Sequence, residues 1–161
     1  MISADFVASY LDAWNDHDAG AVAEHLAGGG TYCDMPTQRQ LSGSELIAHL
    51  EDYFSRDHCR YQLVGEILVG ESAIAFQYRA CPEEGSGQLP WTGAEFVTFE
   101  GDSVIRIEDY YRSPDVDAGS DGGNGQWQRR VQRYAKSGLD DAAMQDFMAQ
   151  LSTLMNDEQC Y

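Results

Sequence analysis

The chain has 161 residues, of which 27 are Asp or Glu and 10 are Lys or Arg, so its formal net charge is −17. A field of that sign repels phosphate groups, which excludes nucleic acid and anionic membrane surfaces as direct partners. Hydrophobic residues make up 43% of the chain, enough to bury a core and too many for a disordered chain.

Three helices are predicted in the first third of the chain. Apolar residues recur at helical spacing over residues 2–14, and a short second helix follows Asp18. Residues 31–36 are typical of a strand. A capping box, Ser42-x-x-Glu45, then opens the third helix.

From residue 60 onward the apolar period changes from helical spacing to two. Turn residues separate four β-branched and aromatic segments, which predicts an antiparallel meander. The segments are 60–69, 72–81, 89–100 and 103–112. Helices followed by strands indicate an α+β domain, in which the helices cover one face of a curved sheet.

The last third of the chain has a different character. Residues 114–125 are rich in Gly, Asp and Ser, which predicts a flexible linker between a domain at 1–113 and a helical tail at 126–161. The tail carries an apolar stripe at helical spacing. The favoured interpretation is that the stripe packs on its own domain or on a dimer mate, with a Met-rich partner-binding face as the alternative. The stripe consists of Met144, Phe147, Met148, Leu151, Leu154 and Met155.

Cysteines, histidines and apolar runs together suggest the location and the absence of cofactors. No apolar run approaches the roughly 18 residues of a membrane span, and residues 1–5 lack the basic start of an export signal. The four cysteines lie far apart, as reduced thiols do, so we expect a cytoplasmic protein. Neither they nor the four histidines have metal-ligand spacing. We therefore expect no metal and no cofactor, and surface or packing roles for the histidines.

Four segments of residues 1–113 carry a resemblance to a known family. They run from Tyr10 to Asp18, from Gly30 to Pro36, from Leu41 to Gly43 and from Phe96 to Tyr111. In this order and spacing the domain resembles the SnoaL-like branch of the nuclear-transport-factor-two-like (NTF2-like) superfamily. The resemblance implies a cystatin-like cone, in which a curved antiparallel sheet wraps around helices and encloses an apolar pocket. It also implies a homodimer that packs through the sheet.

Within this superfamily, ketosteroid isomerase pairs a carboxylate base with a tyrosine and a protonated acid that donate to an oxyanion. By resemblance, Asp34 occupies the place of the base, and Tyr10 and Glu95 occupy the places of the donors. Such a set abstracts a proton next to a carbonyl group. Glu95 departs from the family's aspartate by one methylene, which shifts its carboxyl group by roughly an ångström.

Strand parity supports an inward position for Glu95 independently of the resemblance. It interrupts an apolar row on one face of its strand, so desolvation should raise its pKa and let the neutral acid donate. The alternative is a structural ion pair with Arg79 or Arg106 on neighbouring strands. The apolar row consists of Trp91, Val97 and Phe99.

Other residues complete the predicted pocket. Tyr32 shares strand parity with Asp34 and therefore faces the same side. For Tyr10 and Trp14, pocket lining and core packing are equal alternatives. Asp109 is a fallback acid or base in the pocket, although a surface position on its strand is favoured.

Two functions follow as hypotheses. The first is a domain that binds a small apolar molecule, polyketide-like or steroid-like, and acts on it as a cofactor-independent isomerase, cyclase or dehydratase. The alternative is a non-catalytic ligand-sensing or protein-interaction module that dimerises. Residues 134–161 are similar to the segment that precedes the helix-turn-helix of some AraC-type regulators. That segment does not contact DNA, so the expectation of no nucleic-acid partner stands.

Overall fold

A computed structural model of the chain describes residues 4–112 and 141–156. Its helices are α1 (Ala4–Asn15), α2 (Ala19–Glu24), α3 (Gly43–Phe54) and α4 (Asp141–Asn156). Its strands are β1 (Thr31–Asp34), β2 (Arg39–Leu41), β3 (Cys59–Val69), β4 (Ala73–Pro82), β5 (Trp91–Glu100) and β6 (Ser103–Arg112). The predicted α+β class is confirmed. The predicted linker at 114–125 lies outside the described residues.

Local signals place the helices well, and one cap differs from its prediction. The Asp18 carboxylate caps α2 by accepting the Ala21 N–H at 2.9 Å. Ser42 is the N-cap residue of α3, but its side chain makes no cap hydrogen bond, so the predicted capping box is not formed. The amphipathic pattern holds α3 in place instead, because its residues at four-residue spacing are buried. These residues are Leu46, Leu50 and Phe54.

The six strands form one sheet in the order β2-β1-β6-β5-β4-β3. The prediction of an entirely antiparallel sheet is wrong at one pairing, because β1 lies parallel to β6. The three-residue edge strand β2 was not predicted either. Both differences have the same cause. Sequence alternation reports which face a residue lies on, but not which distant strand lies beside it.

The two faces of the sheet have different coverings. Helices α1 to α3 cover one face, the helix face, where the larger apolar cluster lies. The other, the outer face, carries a second cluster that includes Ala94, Phe96 and Tyr110. Residues alternate between the faces along β5, so Val97 lies in the first cluster and Phe96 in the second.

Helix α4 packs on the outer face. Met144 and Phe147 are buried there, Met148 is partly buried, and the rings of Phe147 and Phe96 meet edge to face at 6.0 Å. The Gln77 side chain also donates to the Phe147 carbonyl at 3.3 Å. Packing of the tail stripe on the chain's own domain is thus confirmed for these residues. None of the helices that the structure describes is long and apolar enough to cross a membrane.

Truncating Phe147 should test how strongly α4 is held. We expect Phe147→Ala to lower the free energy of unfolding by about 3 kcal/mol, because it removes a buried ring from the outer face. Denaturant unfolding of the purified variant measures this loss. Gln145→Ala is the matched control, since Gln145 is exposed on the same helix. Equal stabilities of the two variants would show that α4 contributes little to the fold.

Candidate functional site

A cavity lies between the helix face of the sheet and helices α1 and α3. Its volume is about 40 Å³, room for about three water molecules. Most of its wall is aromatic, and the aromatic residues are Trp14, Tyr32, Tyr53, Tyr61, Tyr78, Trp91 and Tyr111. The remaining lining residues are Leu11, Leu50, Asp34, His49, Glu95 and Asp109. The cavity is therefore small, with aromatic walls and three carboxyl groups.

The three carboxyl groups form a row across adjacent strands. Asp109 on β6 is the register partner of Asp34 on β1 and of Glu95 on β5. Neighbouring strands lie about 4.8 Å apart, so the row spans about 10 Å from Asp34 to Glu95. Each of the three residues is at most 5% exposed. The fold thus holds three acids side by side at the floor of one cavity.

Asp109 is the centre of this row. Its two carboxylate oxygens accept hydrogen bonds from the hydroxyls of Tyr32 at 2.7 Å and Tyr78 at 2.8 Å. Burial raises the pKa of Asp109 to about 7, although the two tyrosines lower it, and the nearby Asp34 adds to the rise. The surface position favoured for Asp109 is wrong, whereas its assignment to the pocket agrees with the cavity wall.

Glu95 ends the row on β5. Burial raises the pKa of Glu95 well above its usual range, and Asp109 raises it further. The Tyr10 hydroxyl lies close enough to lower that pKa in part, yet the two groups do not reach hydrogen-bond geometry, and Glu95 Oε2 has no hydrogen-bond partner among the described residues. The two arginines proposed as partners lie elsewhere. Arg79 is exposed, and Arg106 Nε donates to Glu108 Oε1 at 2.8 Å, so neither arginine forms the ion pair that was the alternative to a neutral Glu95.

Asp34 ends the row on β1, at the last residue of that strand. Its carboxylate accepts the Tyr111 hydroxyl at 3.2 Å and the Thr37 N–H at 3.3 Å. These two donors restrain the orientation of the Asp34 carboxylate in the cavity wall.

The remaining predicted pocket residues divide into two groups. Trp14 and Trp91 line the cavity, and Trp14 Nε1 lacks a hydrogen-bond partner in the part of the chain that the structure describes. Tyr10, Val97 and Phe99 do not line it and are buried in the core beside it. Tyr10 is held there by its neighbours, because its ring stacks on Phe6 at 5.6 Å and meets Phe76 and Trp14 edge to face.

Several wall residues were not singled out from the sequence. Tyr53 and His49 lie four residues apart on α3, on one side of the helix, and this spacing was the available signal. Arg39 Nη1 donates to His49 Nδ1 at 3.1 Å, so neutral His49 carries its proton on Nε2. Burial lowers the pKa of His49, and the Arg39 charge lowers it further. The only imidazole among the described residues of the cavity wall is thus kept neutral.

A further buried carboxylate, outside the row, supports the opposite wall. Asp57 Oδ2 accepts the Tyr61 hydroxyl at 2.9 Å and lies 3.3 Å from His17 Nε2. Tyr61 in turn shares a 2.8 Å hydrogen bond with the Tyr53 hydroxyl. This network fixes the two tyrosine rings that face the carboxyl row.

Gly93 makes room for Tyr78. It lies opposite both Tyr78 and Tyr111 in the sheet register. A Cβ atom built on Gly93 would lie 2.5 Å from the end of the Tyr78 ring. Because Gly93 has no side chain, the Tyr78 ring crosses β5 and its hydroxyl reaches Asp109.

Comparisons with known proteins bear on the fold. No protein-family model matches the chain, and no curated protein matches it. Among solved structures, a SnoaL-like protein of unknown function from Burkholderia thailandensis has a TM-score of 0.55 at 22% identity, over 70% of this chain and 100% of that one. An NTF2-like protein from Cytophaga hutchinsonii has a TM-score of 0.50 at 15% identity, over 70% and 92%.

A third solved structure comes from Catenulispora acidiphila. It is a protein with a ketosteroid isomerase-like fold in complex with trimethylamine, and its TM-score is 0.56 at 14% identity, over 78% of this chain and 98% of that one. The chain has the NTF2-like fold. At these identities the likeness extends to the NTF2-like fold alone, so the function must be argued from the cavity itself.

Within the described part of the chain, no group of three or more His, Cys, Asp and Glu side chains is arranged to hold a metal ion. The Asp34, Asp109 and Glu95 carboxyl groups lie in a line, each on its own strand, and two of them already accept tyrosine hydroxyls. What the arrangement can do chemically is accept a proton at one end of the row and donate a hydrogen bond at the other.

Proposed function

We propose that this NTF2-like domain binds a small organic molecule and transfers a proton to and from it, with Asp34 as the general base and Glu95 as the neutral hydrogen-bond donor. The single observation that carries the proposal is the register of Asp34, Asp109 and Glu95, which puts three buried carboxyl groups in one cavity. The reaction class is proton abstraction next to a carbonyl group, as an isomerase, cyclase or dehydratase requires.

The two ends of the row differ in the way that acid–base chemistry needs. Burial and the nearby Asp109 raise the pKa of Glu95, which favours its protonated form, and its Oε2 has no hydrogen-bond partner among the described residues. Asp34 accepts hydrogen bonds from Tyr111 and the Thr37 N–H, which stabilise a carboxylate in the cavity wall. Tyr10 does not line the cavity, so we assign it a supporting role behind Glu95 rather than direct donation.

The size of the cavity limits the ligand. About 40 Å³ holds a compact group of a few non-hydrogen atoms, and this is too little for the fused rings of a steroid or a polyketide. Trimethylamine, which the Catenulispora acidiphila neighbour holds, is a molecule of suitable size. We therefore propose a small ligand, or a small reacting group of a larger one, in place of the polyketide-like or steroid-like compound suggested by resemblance.

Proton transfer can be tested without the natural substrate. In D₂O, the wild-type domain should exchange the α-hydrogens of a small ketone such as cyclopentanone faster than buffer does, and NMR measures the loss of the proton signal. Asp34→Asn should reduce this exchange at least a hundredfold, because an amide cannot accept the proton. The matched control is Asp52→Asn, which changes the charge equally at an exposed site paired with Arg56.

Folding of the variants is checked by circular dichroism and by thermal unfolding. Exchange at the buffer rate with the wild-type domain, across a panel of small ketones and aldehydes, would contradict the proposed reaction. Wild-type exchange in folded Asp34→Asn would contradict the role of Asp34.

A further inference from the structure

We propose that the ligand of this cavity is a small organic cation with a compact methylated ammonium group. This inference rests on the proposed function in taking the cavity as the ligand site, and it adds the chemical class of the ligand. It is carried by the aromatic walls, by the carboxyl row at the floor, and by a buried acid oxygen that no described protein group satisfies.

The aromatic walls suit a cation. Trp91 lies in a continuous ring cluster, with centroids 5.9 Å from Tyr61, 5.6 Å from Tyr78 and 5.2 Å from Tyr111. Trp14 extends the cluster through Tyr61, at 5.3 Å. Aromatic faces carry negative electrostatic potential, and several of them around one space bind methylated ammonium groups better than neutral groups of the same shape.

The floor of the cavity supplies the opposite charge. Three carboxyl groups line it, and the described side chains of the cavity wall include no lysine and no arginine. The one imidazole, His49, is kept neutral by burial and by the Arg39 guanidinium at its Nδ1. Among these lining residues, therefore, no positive charge compensates the acids, and a bound cation would.

One buried acid oxygen at the cavity wall lacks a hydrogen-bond partner. Glu95 is 2% exposed and lines the cavity, and its Oε2 has no hydrogen-bond partner within residues 4–112 and 141–156. A buried polar atom left in this way is unfavourable unless a water or a ligand meets it. A cation beside the row would stabilise the ionised form of Asp109 and offset its repulsion with Asp34, while Glu95 stays the neutral donor.

The proton balance of binding follows from the groups that face Asp109. Its carboxyl neighbours are Glu95 and Asp34, and the only imidazole in the described cavity wall is His49. Every phenol around it has a raised pKa, because burial disfavours the phenolate, and so remains protonated. These phenols are Tyr10, Tyr32, Tyr53, Tyr61, Tyr78 and Tyr111. Cation binding near neutral pH should therefore release a proton from the carboxyl row.

The test compares choline with 3,3-dimethyl-1-butanol, the neutral alcohol of nearly the same shape. Titration calorimetry of the full chain in 0.15 M NaCl should show choline binding at least tenfold tighter than the alcohol. Repeating the titration at pH 6.5 in buffers of different ionisation enthalpy should show proton release with choline and none with the alcohol. Equal affinities, or no saturable binding of choline, would overturn the inference.

Two variants separate the cavity from the general charge of −17. Trp91→Leu removes an aromatic face and keeps an apolar one, so it should weaken choline binding at least tenfold and leave the alcohol within threefold. Asp109→Asn should also weaken choline, whereas Asp52→Asn, with the same change in charge at an exposed site, should not. Choline affinity unchanged in both cavity variants would overturn the inference.

The ketone exchange assay stays independent of this result. Exchange without choline binding would leave the proton-transfer function standing and remove only the cation. Choline binding without exchange would support the cation and contradict the proton-transfer function.

Discussion

Between about pH 4 and pH 7, the free energy of unfolding is expected to fall by about 4 kcal/mol through Asp109. In the unfolded chain this carboxyl group has a pKa near 3.8, and burial raises it to about 7 in the folded chain. The folded state therefore holds a proton over this range that the unfolded state has lost. The contribution of Asp109 to the free energy of unfolding is therefore fully present below the unfolded pKa, and it is lost as the pH rises through the folded pKa.

Urea unfolding of the wild type and of Asp109→Asn at several pH values from 4.5 to 7.5 measures this effect. Asp109→Asn cannot titrate at this position. Its free energy of unfolding should therefore fall less steeply with pH than that of the wild type, by the slope that corresponds to one bound proton. Asp52→Asn is the control for the overall charge, because its carboxylate is exposed. Parallel curves for the wild type and Asp109→Asn would show that Asp109 has an ordinary pKa.

Glu95→Gln should remove a second pH-dependent contribution to stability, of the same sign as that of Asp109. The pKa of Glu95 is also raised, mainly by burial and then by the Asp109 charge. The contribution of Glu95 to the free energy of unfolding is therefore present below its unfolded pKa, and it is lost as the pH rises through its folded pKa. Removing the titration should make the variant gain stability relative to the wild type as the pH rises.

Gly93→Ala is expected to lower the free energy of unfolding by about 3 kcal/mol, because overpacking a core forces its side chains to shift. The new methyl group would lie 2.5 Å from the Tyr78 ring, and a buried ring has little room to move. Displacing it would also break the 2.8 Å hydrogen bond to Asp109, which leaves a buried carboxylate with one fewer donor. Denaturant unfolding measures the loss, and NMR of the aromatic region should show a shifted Tyr78.

The matched control is Gly28→Ala. A Cβ atom added at Gly28 would meet nothing within 4 Å, and the residue is not in the left-handed region, so the stability of this variant should stay within about 0.5 kcal/mol of the wild type. A second check is the double variant Gly93→Ala with Tyr78→Leu. Removing the end of the ring relieves the clash, so the two losses should not add. Additive losses, or a Gly93→Ala variant as stable as Gly28→Ala, would contradict this account of the packing.

The helices and long strands were predictable from the sequence because their signals are local. Periodicity and caps depend on neighbouring residues, and they placed α1 to α3 and β3 to β6 within a few residues. The parallel pairing of β1 with β6 is not a local property. About 75 positions separate the paired residues Tyr32 and Ile107, and nothing in either segment specifies the other.

The site was predicted in part for the same reason. Strand parity pointed Glu95 inward, and resemblance placed Asp34 at the pocket. The position of Asp109 was harder to predict. Its strand carries two adjacent acids, Glu108 and Asp109, which lie on opposite faces of the sheet and are both buried. Alternation distinguishes a buried face from an exposed one, and the outer face of β6 is not exposed. Helical periodicity put Tyr10 on the buried side of α1 but could not show that it lies behind the cavity wall.

The short length of β1 has a consequence for motion within the site. Glu95 and Asp109 lie on ten-residue antiparallel strands, whereas Asp34 ends a four-residue strand whose other neighbour, β2, has three residues. Such an edge opens at a lower free energy than the middle of a sheet. Amide hydrogen exchange at Tyr32 to Asp34 should therefore be faster than at residues 94–97. The acid row then joins two members on long strands to one, Asp34, on a short strand where local opening is expected to cost less free energy.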